Sequence, residues 1–226
     1  MVRFNGLQAM DTQPRITAIE ESRGEYLVKV STLPEPLAVP VELIHDFHLR
    51  QGVALTGPQV RQLVAESERY RCEREISRLL ALREHSAGEI RVRLKRKGFS
   101  EKTFAPLVVG FVSKGLIDDP RLAASLVRKA LERKPAGRAF LIALLRRKML
   151  ERSLAERTVD QALEEIDPTA EAVRALRRKW PDPAQLEVES ARRKAYSYLS
   201  RRGFGYETAR AACDEVFGNL GKADED

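Results

Sequence analysis

Three stretches of this 226-residue chain carry one pattern at matched offsets, and that repetition restricts the possible fold more than any other feature. They run Ile90–Phe99, Leu145–Leu154 and Ala195–Phe204. In each, an apolar residue is followed four positions later by another: Ile90 and Leu94, Leu145 and Met149, Ala195 and Leu199. A cation, a small residue and an apolar residue then close the segment. Five positions beyond each closure stands a further apolar residue, at Phe104, Val159 and Ala209. Apolar residues four apart share one helix face, so each copy predicts a helix that ends in a tight corner. Gly98 and Gly203 suit the left-handed residue that terminates such a helix. The middle copy offers Ser153 at that place. Lys148-Met149-Leu150 competes with Arg152-Ser153-Leu154, as though about one helical turn were inserted. The copies recur at intervals of roughly 50 residues, close to the period of stacked helical modules.

Composition agrees with a helical repeat. Charged residues make up 32% of the chain and aromatics 6%, which favours long amphipathic helices over a sandwich or barrel. The formal charge of +7 is unevenly placed: residues 1–56 hold five Lys/Arg against seven Asp/Glu, so the basic excess lies in the repeats. Anionic partners fit that region. Cys72 and Cys213 match no metal spacing and read as isolated thiols rather than a disulfide. No charged and then apolar leader opens the chain, and the uncharged run 103–113 is too short to span a bilayer. The expectation is a soluble, cytoplasmic, monomeric protein without a membrane partner.

The fold class expected is mostly α: tandem three-helix repeats, three modules in all, preceded by a small N-terminal β-bearing segment. Residues 1–56 hold a loose terminus (1–13) and the β part. Ile16–Ile19 and Tyr26–Val30 are short β-runs joined through Glu21-Ser22-Arg23-Gly24, and Leu37-Ala38-Val39 adds an edge strand flanked by Pro34, Pro36 and Pro40. Residues 57–118 give a leading helix from Pro58 past Leu82 and then the first module. Ser86-Ala87-Gly88-Glu89 is a capping box, with Ser86 and Glu89 as its partners. Ser100 caps the next helix, in which Pro106 predicts a kink or a later start. The second module, 119–167, begins at Asp118-Asp119-Pro120, with Asp119 a structural residue at the cap. Lys134-Pro135-Ala136-Gly137 ends its first helix. Asp167-Pro168 opens the third module, 168–226, whose acidic end, Asp224-Glu225-Asp226, reads as a solvated tail.

Residues that carry chemistry are few. His45 and His48 offer two ligands three apart with nothing to complete a metal site, so two ordinary histidines on a short helix account for them better. Asp118 and Asp119 before Pro120 fit a cap better than a catalytic pair. No phosphate-binding loop or nucleophile–base constellation stands out, so the chain reads as a binding protein without catalytic residues, metal or cofactor. The basic clusters are the functional candidates: Arg91, Arg93, Lys95, Arg96 and Lys97 on the first anchor helix; Arg146, Arg147, Lys148 and Arg152 on the second; Arg192, Arg193, Lys194, Arg201 and Arg202 on the third. No acid interrupts 90–97 or 191–202. A basic stripe repeated by module suits a phosphate backbone or an acidic protein groove, whereas Tyr196 and Tyr198 alone give little base stacking.

The ordered series Leu79–Ser86, Leu94–Phe99, Gly115–Ala123, Lys134–Arg138 and Leu199–Phe204 resembles the RecX regulatory family over roughly residues 70–218. The resemblance implies tandem three-helix repeats and a non-enzymatic modulator of the RecA recombinase. Such proteins bind the groove of RecA filaments on single-stranded DNA and restrain filament growth, strand exchange and RecA's ATP hydrolysis. Its setting is recombination, DNA repair and the SOS response. The second copy departs from the family's usual Lys-Gly-Ile ending, and the β part resembles an extension of some members. The alternative is a helical-repeat protein that acts directly on DNA.

Overall fold

The computed structural model describes residues 13–22, 24–181 and 188–218. The expected loose terminus (all but residue 13), Arg23 of the hairpin turn, Pro183 and the acidic tail lie outside the described residues. The chain groups into two compact units, Met1–Glu84 with Ile90–Leu116, and His85–Glu89 with Ile117–Asp226. Among the described residues three strands and ten helices are formed.

In the first unit, β1 (Ile16–Ser22), β2 (Glu25–Val30) and β3 (Leu37–Val39) make an antiparallel sheet in the order β1-β2-β3. Gly24, at φ +78°, turns the hairpin. β3 holds the edge, where prolines on either side cost no ladder hydrogen bond. A three-stranded sheet this small needs an apolar backing. Ile16, Val28, Val30 and Val39 supply its inner face, and they close on Leu49, Leu55 and Leu63. Leu63 belongs to α2 (Gly57–Leu82), which follows the short α1 (Val41–Asp46). Ser67, also on α2, donates from its hydroxyl to the Ala38 carbonyl at 2.8 Å. α2 starts with Pro58 in its first turn and a capping box whose Thr-x-x-Gln pattern stands in the sequence at 56–59: the Thr56 hydroxyl accepts from Gln59 N–H, and Gln59 Oε1 accepts from Thr56 N–H at 2.8 Å.

The helices that follow are α3 (Ala87–Arg96) and α4 (Glu101–Ser113). Next come α5 (Asp119–Arg133), α6 (Arg138–Arg147) and α7 (Arg152–Leu163). Last are α8 (Pro168–Lys179), α9 (Val188–Arg201) and α10 (Tyr206–Phe217). α4 begins at Glu101 with Ser100 as its cap and runs on through Pro106, so the later start is not adopted. In the second unit α5, α6 and α7 bury one core around Val127, Leu141, Leu145 and Val159. α8, α9 and α10 bury another around Leu176, Ala195, Leu199 and Phe217.

The anchor helices of the repeat are α3, α6 and α9, and their corners share one geometry. The amide of the closing apolar residue reaches back to a carbonyl five residues earlier: Phe99 to Leu94 at 3.2 Å, Leu150 to Leu145 at 3.4 Å, Phe204 to Leu199 at 3.1 Å. This is the Schellman pattern, and it requires a left-handed residue before the closure. Gly98 (φ +86°) and Gly203 (φ +80°) fill that place, as expected. In the middle copy Met149 does so, at φ +53°. The closure is therefore Lys148-Met149-Leu150, and Ser153 lies inside α7, away from any corner. With that register the buried apolar pairs align as Ile90/Leu94, Leu141/Leu145 and Ala195/Leu199. The residue five beyond each closure is Phe104, Ala155 or Ala209, all buried.

The Asp pair is also corrected. Asp118, not Asp119, caps α5, accepting from Arg121 N–H at 2.8 Å. Asp119 sits in the first turn, where its Oδ1 accepts from Ala87 N–H at 2.9 Å and so satisfies the start of α3.

Candidate functional site

The start of one anchor helix is joined to the corner of the next, and the same two residue types make both junctions. Ala87-Gly88 opens α3 and Ala136-Gly137 precedes α6. A Cβ on Gly88 would stand 2.8 Å from the Met149 Cβ and closer still to the Met149 carbonyl. A Cβ on Gly137 would overlap the Gly203 carbonyl and lie 2.6 Å from Phe204 N. Only glycine lets the backbones approach this far. At the first junction the Ser86 hydroxyl donates to the Lys148 carbonyl and also caps α3, accepting from Glu89 N–H at 3.0 Å. At the second, Gly137 N–H donates to the Arg202 carbonyl at 2.8 Å and Ala139 N–H to the Gly203 carbonyl at 3.3 Å.

These junctions consume part of the basic set. The residue just before each left-handed corner is a cation: Lys97, Lys148 or Arg202. All three are engaged. Lys97 Nζ lies 2.9 Å from Glu75, whose carboxylate also takes two hydrogen bonds from Arg78. Those bonds, Arg78's foremost, hold the Glu75 carboxyl down at about 2 against the opposing effect of burial. Lys148 Nζ lies 3.6 Å from Glu89. Arg202 donates to the Lys134 and Pro135 carbonyls at the end of α5 and stacks over the Phe140 ring, 4.4 Å from its centroid. Two further candidates are paired: Arg152, which opens α7 rather than lying on an anchor helix, with Glu156 at 2.8 Å, and Arg192 with Asp214.

The other candidates are Arg91, Arg93, Lys95 and Arg96 on α3, Arg146 and Arg147 on α6, and Arg193, Lys194 and Arg201 on α9. All are exposed, and none makes an ion pair among the described residues. They follow the repeat. Two positions before each left-handed residue stands an unpaired arginine: Arg96, Arg147 and Arg201. Each lies in the last turn of its helix, where exposed carbonyl ends favour a cation. That effect accounts for a positive charge there and not for its being arginine each time. Arginine presents a planar fork that matches carboxylate or phosphate.

Cys72 and Cys213 are buried thiols whose ionisation burial pushes up to about 11, so both stay protonated and inert. Among the described residues no cluster of three or more His, Cys, Asp or Glu side chains could hold a metal ion, and no helix is long and apolar enough to cross a membrane. On sequence grounds Trp180 is only one of the apolar residues that begin the third module. Its ring meets Tyr198 edge-on at 5.7 Å, beside Lys179, Arg193, Lys194 and Arg201. The signal was the basic residue Lys179 directly before the chain's one tryptophan.

Comparison with known proteins bears on the whole arrangement. Residues 165–213 match a family model described as RecX, third three-helix domain. The chain is 35% identical over 140 residues to the regulatory protein RecX of Prosthecochloris aestuarii, spanning 62% of this chain and 89% of that one. It is 31% identical over 135 residues to the regulatory protein RecX of Pelodictyon phaeoclathratiforme, spanning 60% and 82%. A longer match, 24% over 210 residues, joins 89% of this chain to the regulatory protein RecX of Geobacillus kaustophilus. Among solved structures, one of a regulatory protein RecX superposes with a TM-score of 0.63 at 20% identity, covering 91% of this chain and 99% of that one. RecX from Lactobacillus salivarius superposes at 0.56 and 16%, covering 66% and 96%.

Proposed function

Because the chain belongs to the RecX family of regulatory proteins, we propose that it binds RecA filaments on single-stranded DNA and restrains their extension, ATP hydrolysis and strand exchange. The observation that carries this reading is the recurrence, at the same place in all three anchor helices, of an exposed arginine with no ion-pair partner among the described residues: Arg96, Arg147 and Arg201. Arg91, Arg93, Lys95, Arg146, Arg193 and Lys194 enlarge each basic end. A filament repeats one surface at a fixed interval, and a chain that repeats one binding element can engage it at several points. Avidity then replaces a single strong site. Segments 57–118, 119–167 and 168–226 are the binding elements in this reading, each meeting a different protomer. Lys97, Lys148 and Arg202 hold the corners that present the arginines, and Arg152 and Arg192 are spent on their own carboxylates.

The chain is a regulator rather than a catalyst in this account, and it acts in the cytoplasm as a monomer without a cofactor. The test is single-stranded-DNA-dependent ATP hydrolysis by RecA, measured with increasing amounts of this protein. Inhibition at substoichiometric protein is expected. An unchanged rate over a wide concentration range would refute the proposal.

A further inference from the structure

The end of α8 and the outer face of α9 enclose a cleft of about 430 Å³, lined by Lys179, Trp180, Arg193, Lys194, Ser197, Tyr198 and Arg201. Four of these seven are cations, and none of the four has an ion-pair partner among the described residues. Their neighbours show that this is not a shortage of acids: Arg177 pairs with Glu215, Arg174 with Glu171 and Arg192 with Asp214. The two aromatic rings complete the lining. Both are half-buried against the core of α8, α9 and α10, which fixes their positions and leaves their outer parts open to the cleft.

A comparable cleft in the preceding repeat shows what is distinctive here. It lies between α5 and α6, lined by Leu126, Lys129, Ala130, Arg133, Phe140 and Leu144 among others. It also has cations on its rim, but its one ring, Phe140, is already covered by the Arg202 guanidinium. No cation is stacked on Trp180 or Tyr198 among the described residues.

We propose that the α8–α9 cleft is a single-stranded nucleic-acid subsite, in which Lys179, Arg193, Lys194 and Arg201 take phosphates while Trp180 and Tyr198 lie against a base. A nucleotide brings an anion and a flat apolar face together, and this cleft offers a partner for each. An acidic polypeptide would use the cations and leave the rings without a partner. A duplex keeps its bases stacked and would not supply the base either. The proposal deepens the filament reading by adding direct contact with the strand, and it rests on that reading for the strand's setting only.

The experiment therefore uses the full chain and bare oligo-dT, without RecA. Trp180 is the only tryptophan, so its emission reports on this cleft alone. Saturable quenching is expected, with log affinity falling against log salt at about −0.7 per phosphate, or roughly −3 for four contacts. The combined variant Lys179→Ala, Arg193→Ala, Arg201→Ala removes exposed side chains and keeps the core. It should bind at least about tenfold more weakly and flatten the slope by roughly 2. The combined variant Arg61→Ala, Lys102→Ala, Lys114→Ala, which removes three exposed cations outside every basic cluster, should bind like the parent. An abasic strand of the same length should bind more weakly and quench less. The proposal is overturned by absent or unsaturable quenching, by equal losses in the two variants, or by an abasic strand that matches oligo-dT. It is equally overturned if polyglutamate reproduces the quenching and displaces the DNA at equal charge, which would assign the cleft to an acidic polypeptide. None of these failures would touch RecA-filament binding, which the ATP-hydrolysis assay reads separately.

Discussion

Replacing Gly137 by alanine isolates the contact on which the repeat depends. Gly137 has φ −84°, a value any residue adopts, so alanine brings no backbone strain of its own. Its methyl group would instead meet backbone: the Gly203 carbonyl, and Phe204 N at 2.6 Å. Neither can swing aside as a side chain would, so the start of α6 and the corner of α9 must separate by about 1 Å to reach van der Waals distance. That movement stretches the hydrogen bonds from Gly137 N–H to the Arg202 carbonyl and from Ala139 N–H to the Gly203 carbonyl. Two such bonds are worth ~0.5–1.5 kcal/mol each. Overpacking adds ~1–3 kcal/mol. The sum is about 2–6 kcal/mol, a large share of the ~5–15 kcal/mol that holds a typical domain together. Gly98→Ala is the control. A Cβ there meets nothing within 4 Å, and only the φ of +86° penalises it, by roughly 1–2 kcal/mol. Urea unfolding followed by circular dichroism and by Trp180 emission measures both. Gly137→Ala should cost clearly more than Gly98→Ala. If it stays within about 0.5 kcal/mol of the parent, the close junction between α6 and α9 is refuted.

Three other perturbations test separate parts of the account. Met149→Gly should stabilise the protein by about 1 kcal/mol, because it relieves a left-handed non-glycine residue whose side chain is 52% exposed; thermal unfolding decides it, and a lower Tm would contradict the corner geometry. Ser86→Ala should cost ~1–2 kcal/mol in urea unfolding, since it removes the α3 cap and the bond to the Lys148 carbonyl together, and a neutral result would count against both. Glu75, held at about 2 instead of its ordinary 4.5, contributes stability that is fully present above about pH 4.5 and is lost as pH falls towards 2. Glu75→Gln should therefore cost about 2 kcal/mol at pH 7, a figure reduced because its partners are half-exposed, and should flatten the fall in stability between pH 4.5 and 2. An unaltered acid slope would be the contrary result.

The parts of the fold that were legible in the sequence are those set by local chemistry. The helices ending at Gly98 and Gly203, the Ser86 and Ser100 caps and the proline-flanked edge strand each depend on residues a few positions apart. The middle corner was not legible in one register, because its left-handed residue is Met149 and only tertiary packing makes a methionine adopt that conformation. Asp118 and Asp119 are equivalent caps on paper. What separates them is that Asp119 faces Ala87 N–H, a partner 32 residues away. The basic candidates divide for the same reason. Lys97, Lys148 and Arg202 look like their neighbours in a list of charges, yet each meets a carboxylate or carbonyl remote in sequence. The repeated Ala-Gly at 87–88 and 136–137 was visible as text. Its meaning depends on what stands opposite it, which is the corner of the next anchor helix.

In the proposed reading, the arginine of each corner, without an ion-pair partner among the described residues, joins this protein to a RecA filament. The most direct measurement is co-sedimentation with RecA assembled on single-stranded DNA, comparing the parent with the variant Arg96→Glu, Arg147→Glu, Arg201→Glu. All three side chains are exposed, so circular dichroism and melting of the variant should match the parent. Three reversed charges acting through avidity should weaken filament binding at least about a hundredfold. Each single reversal should weaken it less. A folded triple variant that sediments with the filament as the parent does would contradict the account and reduce the three arginines to solvated helix ends.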